Sequence, residues 1–132
     1  MIDDVHFLTV EEVVAIHADQ IDLYGGDSGL RDRGLLESAV HAAQNVAAYV
    51  ADCDLCDRAA AYIFHLAENQ PFVDGNKRTA LASGLVFLYQ NGIALDDPDE
   101  RLYDVMIGVA TKAIGKPEIA TTLRSLIAPV SG

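Results

Sequence analysis

A chain of 132 residues with 51% hydrophobic and 22% charged residues holds enough apolar material for one core without disulfides or a metal, so a single domain over residues 1 to 132 is expected. A net charge of −11 and a pI near 4.4 argue against nonspecific contact with nucleic acid or anionic membrane. The opening MIDDVHFLTVEEV lacks a basic segment followed by an apolar stretch, and the longest nearly apolar run, residues 80 to 89, is too short to cross a bilayer; a soluble cytoplasmic protein is expected.

Thr9-Val10-Glu11-Glu12 has the hydroxyl and the carboxylate of a capping box, and the spacing predicts a helix from about Val10 to Tyr24 with Val13, His17, Ile21 and Tyr24 inward. Residues 25 to 34, GGDSGLRDRG, have four glycines in ten positions and predict an irregular loop able to close over something. Asp32 then caps a helix that buries Leu35, Leu36, Ala39, Val40 and Ala43. A third helix, from about Leu55 to Asn69, sets Ala59, Tyr62, Ile63, Leu66 and Ala67 at helical spacing and ends before Pro71, whose ring disfavours helical backbone at Gln70.

From Asn76 to Gln90 the chain is apolar or small on nearly every side, which predicts a buried central helix stopped by Asn91-Gly92. Asp97-Pro98-Asp99-Glu100 predicts a further helix with proline in its first turn and Leu102, Val105, Met106 and Val109 along one side. Gly115 is expected to close that helix, and Pro117 to open a last one with Ile119, Leu123, Leu126 and Ile127 inward. No useful length of chain alternates with a period of two, so the fold class is all-α with about six helices; at most a short hairpin fits in the glycine-rich loop or near residues 93 to 95.

Cys53 and Cys56 form a C-x-x-C without the second pair a zinc site needs and without a βαβ pattern, and are read as reduced thiols, Cys56 made somewhat reactive by the adjoining helix end. His6 and His41 show no metal-like spacing with His17 or His65, and the last two are read as hydrogen-bonded structural histidines.

The chemistry concentrates in NQPFVDGNKRTAL, residues 69 to 81. A turn at Pro71 leads into the amino end of the apolar helix, where free amides and the helix dipole favour an anion. Gly75 permits close approach, Asn76 offers a side-chain amide, and Lys77 and Arg78 are two of only nine basic residues in the chain. Asp74 fits such a set if a divalent cation sits between it and phosphates, which points to a magnesium nucleotide. Phe72 is read as an apolar anchor, with Val73 pointing the other way. The alternative is an ordinary helix start, with Asp74 as N-cap and Lys77 and Arg78 as solubilising charges.

Gln70-Pro71-Phe72-Val73-Asp74-Gly75-Asn76-Lys77-Arg78 resembles the central motif of the Fic/Doc family, H-P-F-x-[D/E]-G-N-[G/K]-R. The resemblance extends through IHADQIDLYGG, GLRDRGLLESAV and VFLYQNG in the same order, over about residues 9 to 92, and is greatest to the Doc (death-on-curing) toxins of toxin–antitoxin modules. It implies an all-α Fic fold that binds ATP and magnesium: Asp74 would hold the metal, Gly75 and Asn76 would cradle phosphates, and Lys77 with Arg78 would neutralise their charge. It also implies transfer of AMP, or in the Doc branch phosphate, to a hydroxyl of a protein such as a translation elongation factor. By the resemblance the glycine-rich loop occupies the place of the family's target-positioning flap; the alternative is an ordinary connector. No (S/T)-x-x-x-E-(G/N) inhibitory helix is present, which implies an antitoxin acting in trans.

By that resemblance the catalytic base is the histidine that opens the motif, and here the position is Gln70. A carboxamide forms hydrogen bonds but takes up no proton at neutral pH, and loss of a general base costs about two to four orders of magnitude in rate. His65, five residues earlier, lies about 7 Å back along the helix axis and does not replace it. Three explanations stay open: a non-catalytic protein that binds nucleotide or partner, an active enzyme with another route, and a substitution made to disarm a toxic protein.

Overall fold

Thr9 stands in extended backbone, its hydroxyl accepting from the Glu12 amide while the Glu12 carboxylate accepts from the Thr9 amide, and helix α1 (Val10–Tyr24) follows from this box. The computed structural model describes residues 5 to 129; the first four residues of the opening segment and the last three of the chain lie outside them. Asp32 accepts from the Leu35 amide and starts α2 (Arg33–Gln44), which one turn of 3-10 helix (Val46–Ala48) extends. Asp54 and Asp57 cap one another's amides at the start of α3 (Leu55–Asn69), and α4 (Asn76–Gln90), α5 (Arg101–Ala110) and α6 (Lys116–Ser125) complete six helices.

The all-α expectation holds, and the boundaries of the first four helices fall where the caps and Pro71 put them. The centre lies elsewhere than expected. The innermost helix is α3, which packs against α2, α4, α5 and α6 and has no exposed residue, whereas α4 exposes Lys77, Tyr89 and Gln90. The cause is the alanine-rich face of α3, where Ala59, Ala60 and Ala61 are wholly buried and admit a neighbour on each side. Gly84 of α4 meets this face so closely that a Cβ there would lie 2.5 Å from Ile63 Cγ1. Tyr62 completes the join to the amino-terminal segment, its hydroxyl accepting from the Leu8 amide at 2.9 Å.

Other expectations are corrected at element ends. Pro98 lies outside α5, which starts at Arg101 after Glu100 adopts left-handed backbone; Asp97 caps it from a distance, accepting from the amides of Arg101 and Leu102 at 2.8 and 2.9 Å. Gly115 does not close α5, which stops at Ala110, but opens α6, with Pro117 in the first turn. Tyr24 and Ile127, expected inward, are exposed: Tyr24 is the last residue of α1, and Ile127 lies beyond the end of α6 at Ser125. Where a hairpin was allowed for, two isolated antiparallel bridges occur, Leu30 with Phe72 and Leu95 with Ile127. Among the described residues no helix is long and apolar enough to cross a membrane.

Candidate functional site

The site grows from the connection between α3 and α4. At the end of α3 Gln70 turns into left-handed backbone, φ 46° and ψ 58°, and so breaks the helix just ahead of Pro71. Phe72 is buried as the expected anchor, and Val73, pointing away from it, is 53% exposed. The Phe72 ring stacks on His17 with centroids 3.8 Å apart and planes 5° apart. His17, itself buried, donates from Nε2 to the Asp74 carbonyl at 2.8 Å, and this fixes the height of the loop over α1. Both histidines read as structural are hydrogen-bonded: Lys116 donates to His65 Nε2 at 3.0 Å, and burial, followed by the Lys116 charge, lowers the His65 pKa.

Asn76 closes the loop on itself. Its side-chain oxygen accepts from the Phe72 amide and its side-chain nitrogen donates to the Phe72 carbonyl, both at 2.9 Å. Loop closure uses one of the two N–H donors of this amide, and the second meets no acceptor among the described residues. Gly75, at φ 72°, is the N-cap of α4 in place of Asp74, and its amide donates to Asp74 Oδ1 at 2.8 Å. Among the described residues the amides of Asn76, Lys77 and Arg78, the first three of α4, meet no acceptor and no capping side chain. These are the donors an anion would find.

The glycine-rich loop lies along this connection. The amides of Arg31 and Asp32 donate to the Pro71 carbonyl at 2.8 and 2.9 Å, and the Val73 amide donates to the Gly29 carbonyl at 2.9 Å. Further on, the Asp27 amide donates to Asp74 Oδ2 at 3.3 Å, and Arg78 Nη2 donates to the Gly25 carbonyl at 3.0 Å with its guanidinium 5.6 Å from the Tyr24 ring centre. Gly26, at φ 118°, has no room for a side chain, since a Cβ would stand 2.6 Å from Asp74 Oδ2. Arg31 also reaches the end of α3 with its guanidinium, a contact that no motif in the chain foretells.

A cavity of about 460 Å³ opens between the end of α3, the first turn of α4 and the end of α5, and Gln70, Asp74, Gly75, Asn76, Lys77 and Arg78 all line it. An ion pair between Glu68 and Lys112, 2.8 Å apart, stands on its wall, whereas His65 does not reach it. Asp74 is exposed and each of its oxygens accepts one hydrogen bond within the chain, which leaves lone pairs of the carboxylate without a partner among the described residues. Among the described residues no three His, Cys, Asp or Glu side chains group to hold an ion by themselves. Cys53 and Cys56 line a different cavity, with Asp54 and Arg124. Burial pushes the Cys56 thiol up to about 11, which overrides the activation expected from the helix end.

Comparison with known proteins agrees with the motif. The Fic/DOC family model matches residues 7–88. The chain is 40% identical over 119 residues to the protein kinase doc of Escherichia phage P1, covering 90% of this chain and 94% of that one. It is 41% identical over 109 residues to the toxin Doc of Mycolicibacterium smegmatis, covering 80% and 83% respectively. With its six-helix Fic fold and these relatives, the chain belongs to the Fic/Doc family, in the Doc branch.

Proposed function

We propose that this chain is a Doc-like toxin that binds ATP with magnesium in the cavity before α4 and acts on a hydroxyl of a protein target, with Gln70 impairing the chemical step. The observation that carries it is one cavity holding three uncapped helix amides, Lys77, Arg78 and the exposed Asp74 in a chain of net charge −11. A polyanion is drawn to a basic helix end on an otherwise acidic molecule. Asp74 would hold the metal, which would supply positive charge against the phosphates. The backbone of Gly75 and Asn76 would shape the phosphate cradle, and Lys77 and Arg78 would supply its fixed charge.

The phage relative is a protein kinase, and on that model the γ-phosphoryl is transferred. The target oxygen bonds to phosphorus, the bond to the bridging oxygen of ADP breaks, and the hydroxyl proton must leave. Transfer of AMP would use the same cradle with attack at the α-phosphorus and loss of pyrophosphate. In either case Gln70 stands where the proton acceptor belongs, and its amide takes no proton. An antitoxin in trans, a target such as a translation elongation factor and a cytoplasmic setting belong to this proposal.

The test is labelling of cellular protein from ATP by this chain and by Gln70→His. The histidine form should raise labelling by about a hundredfold or more and slow growth on expression. Gamma-labelled against alpha-labelled ATP separates phosphate from AMP transfer, and a histidine form that labels nothing overturns the reading. Gln70 also favours a second one, a non-catalytic protein that holds nucleotide or antitoxin. Calorimetry with magnesium ATP on this chain and on Lys77→Ala/Arg78→Ala tests it. Its signature is binding by the first and loss in the second, with no labelling by either this chain or Gln70→His.

A further inference from the structure

Gln70 is one of four described non-glycine residues at positive φ, a backbone state an L residue holds only when its surroundings offset the cost. Its own amide is held loosely, donating to the Leu66 carbonyl at 3.3 Å. Its carbonyl is held tightly by Arg31, with Nε at 2.9 Å and Nη2 at 2.6 Å, and Nη2 also donates to the Asn69 carbonyl at 3.1 Å. These carbonyls belong to the unsatisfied acceptors that end a helix, where a cation is also favoured by the dipole. Arg31 is itself pinned, its amide on Pro71 and its neighbour Leu30 bridged to Phe72. The fork thus ties the bend at residue 70 to the glycine-rich loop, and a lysine has no planar fork to replace it.

We propose that Arg31 is a positioning residue for side chain 70: by clamping the Asn69 and Gln70 carbonyls it keeps residue 70 left-handed and its side chain on the cavity wall. This deepens the function proposed above and rests on it for its catalytic consequence, but not for its structural one. The phosphate end of the cavity has its own partners, His17, Asn76 and, from the glycine-rich loop, Gly25 and Asp27, and the Arg31 guanidinium bonds only to the reacting end.

Arg31→Ala and Arg31→Lys, each made in the Gln70 chain and in Gln70→His, test it. In the Gln70 chain, nuclear magnetic resonance reads the short amide-to-Hα distance that marks left-handed backbone at residue 70. It should be lost in Arg31→Ala and partly kept in Arg31→Lys, with magnesium ATP affinity by calorimetry unchanged. In the histidine form the saturated labelling rate should fall about ten- to a hundredfold for alanine, less for lysine, with an unchanged KM for ATP. Left-handed backbone retained in Arg31→Ala, an unchanged rate, or a loss matched by weaker ATP binding overturns the proposal. If Gln70→His itself labels nothing, the functional reading fails and the resonance measurement alone decides Arg31. If Arg31→Ala does not fold, Arg31→Lys carries both measurements.

Discussion

His17→Phe isolates one hydrogen bond from the packing around it. The aromatic ring that faces Phe72 at 3.8 Å is kept, while the Nε2 donor to the Asp74 carbonyl is lost. Since His17 is only 2% exposed, little water reaches the orphaned carbonyl from that side. An unsatisfied buried acceptor costs about 1–3 kcal/mol, and partial access at Asp74 puts the expected loss at about 1–2 kcal/mol. His17→Ala removes the stacking as well and opens a cavity, for a total of about 3–5 kcal/mol by analogy with buried aromatic truncations. Urea unfolding with linear extrapolation measures both, and the slope should be the same in each variant. Calorimetry should show weaker magnesium ATP binding in His17→Phe, because the height of Asp74 over α1 is no longer set. A His17→Phe protein as stable as the parent chain, with unaltered affinity, refutes the role given to this bond.

Gly84→Val should destabilise by about 1–3 kcal/mol or more, since its Cβ alone would fall 2.5 Å from Ile63 Cγ1 and 3.3 Å from the Ala59 carbonyl; thermal unfolding checks it. His65 has its folded pKa lowered by burial and by Lys116, so the unfolded chain binds the proton better. Its contribution is therefore complete above the ordinary histidine pKa and lost as pH falls through that range toward the lower folded value, and urea midpoints in His65→Asn should fall less on acidification than in the parent chain. With the Cys56 thiol pushed up to about 11, a neutral-pH thiol reagent should modify it only on the timescale of unfolding.

The sequence made the helices legible where a cap or a breaker is local. Thr9 with Glu12, Asp32, and Pro71 after Gln70 fix three boundaries through bonds spanning a few residues. It misled at Pro98, because an aspartate followed by proline is a helix start only if the next residues stay right-handed, and Glu100 does not. The centrality of α3 was hidden because alanine scores low as an apolar residue yet lets helices close in. In the site, the cavity-lining set from Gln70 to Arg78 was visible as a motif, but its supports were not. His17 meets Asp74 from 57 residues away and Arg31 meets Gln70 from 39, and nothing local in either segment announces a carbonyl partner that distant.

The connection from α3 to α4 is built from two halves with different anchors. Residue 70 caps the end of α3 and is held by Arg31, while residues 74 to 78 rest on α1 through His17, on Asn76, and on the glycine-rich loop at Gly25 and Asp27. The bonds that hold residue 70 run to its backbone and use nothing of its side chain. On the function proposed above, one codon would then be enough to silence such a chain or to rearm it, and a silenced form that kept its ligand site would compete with an armed copy in the same cell.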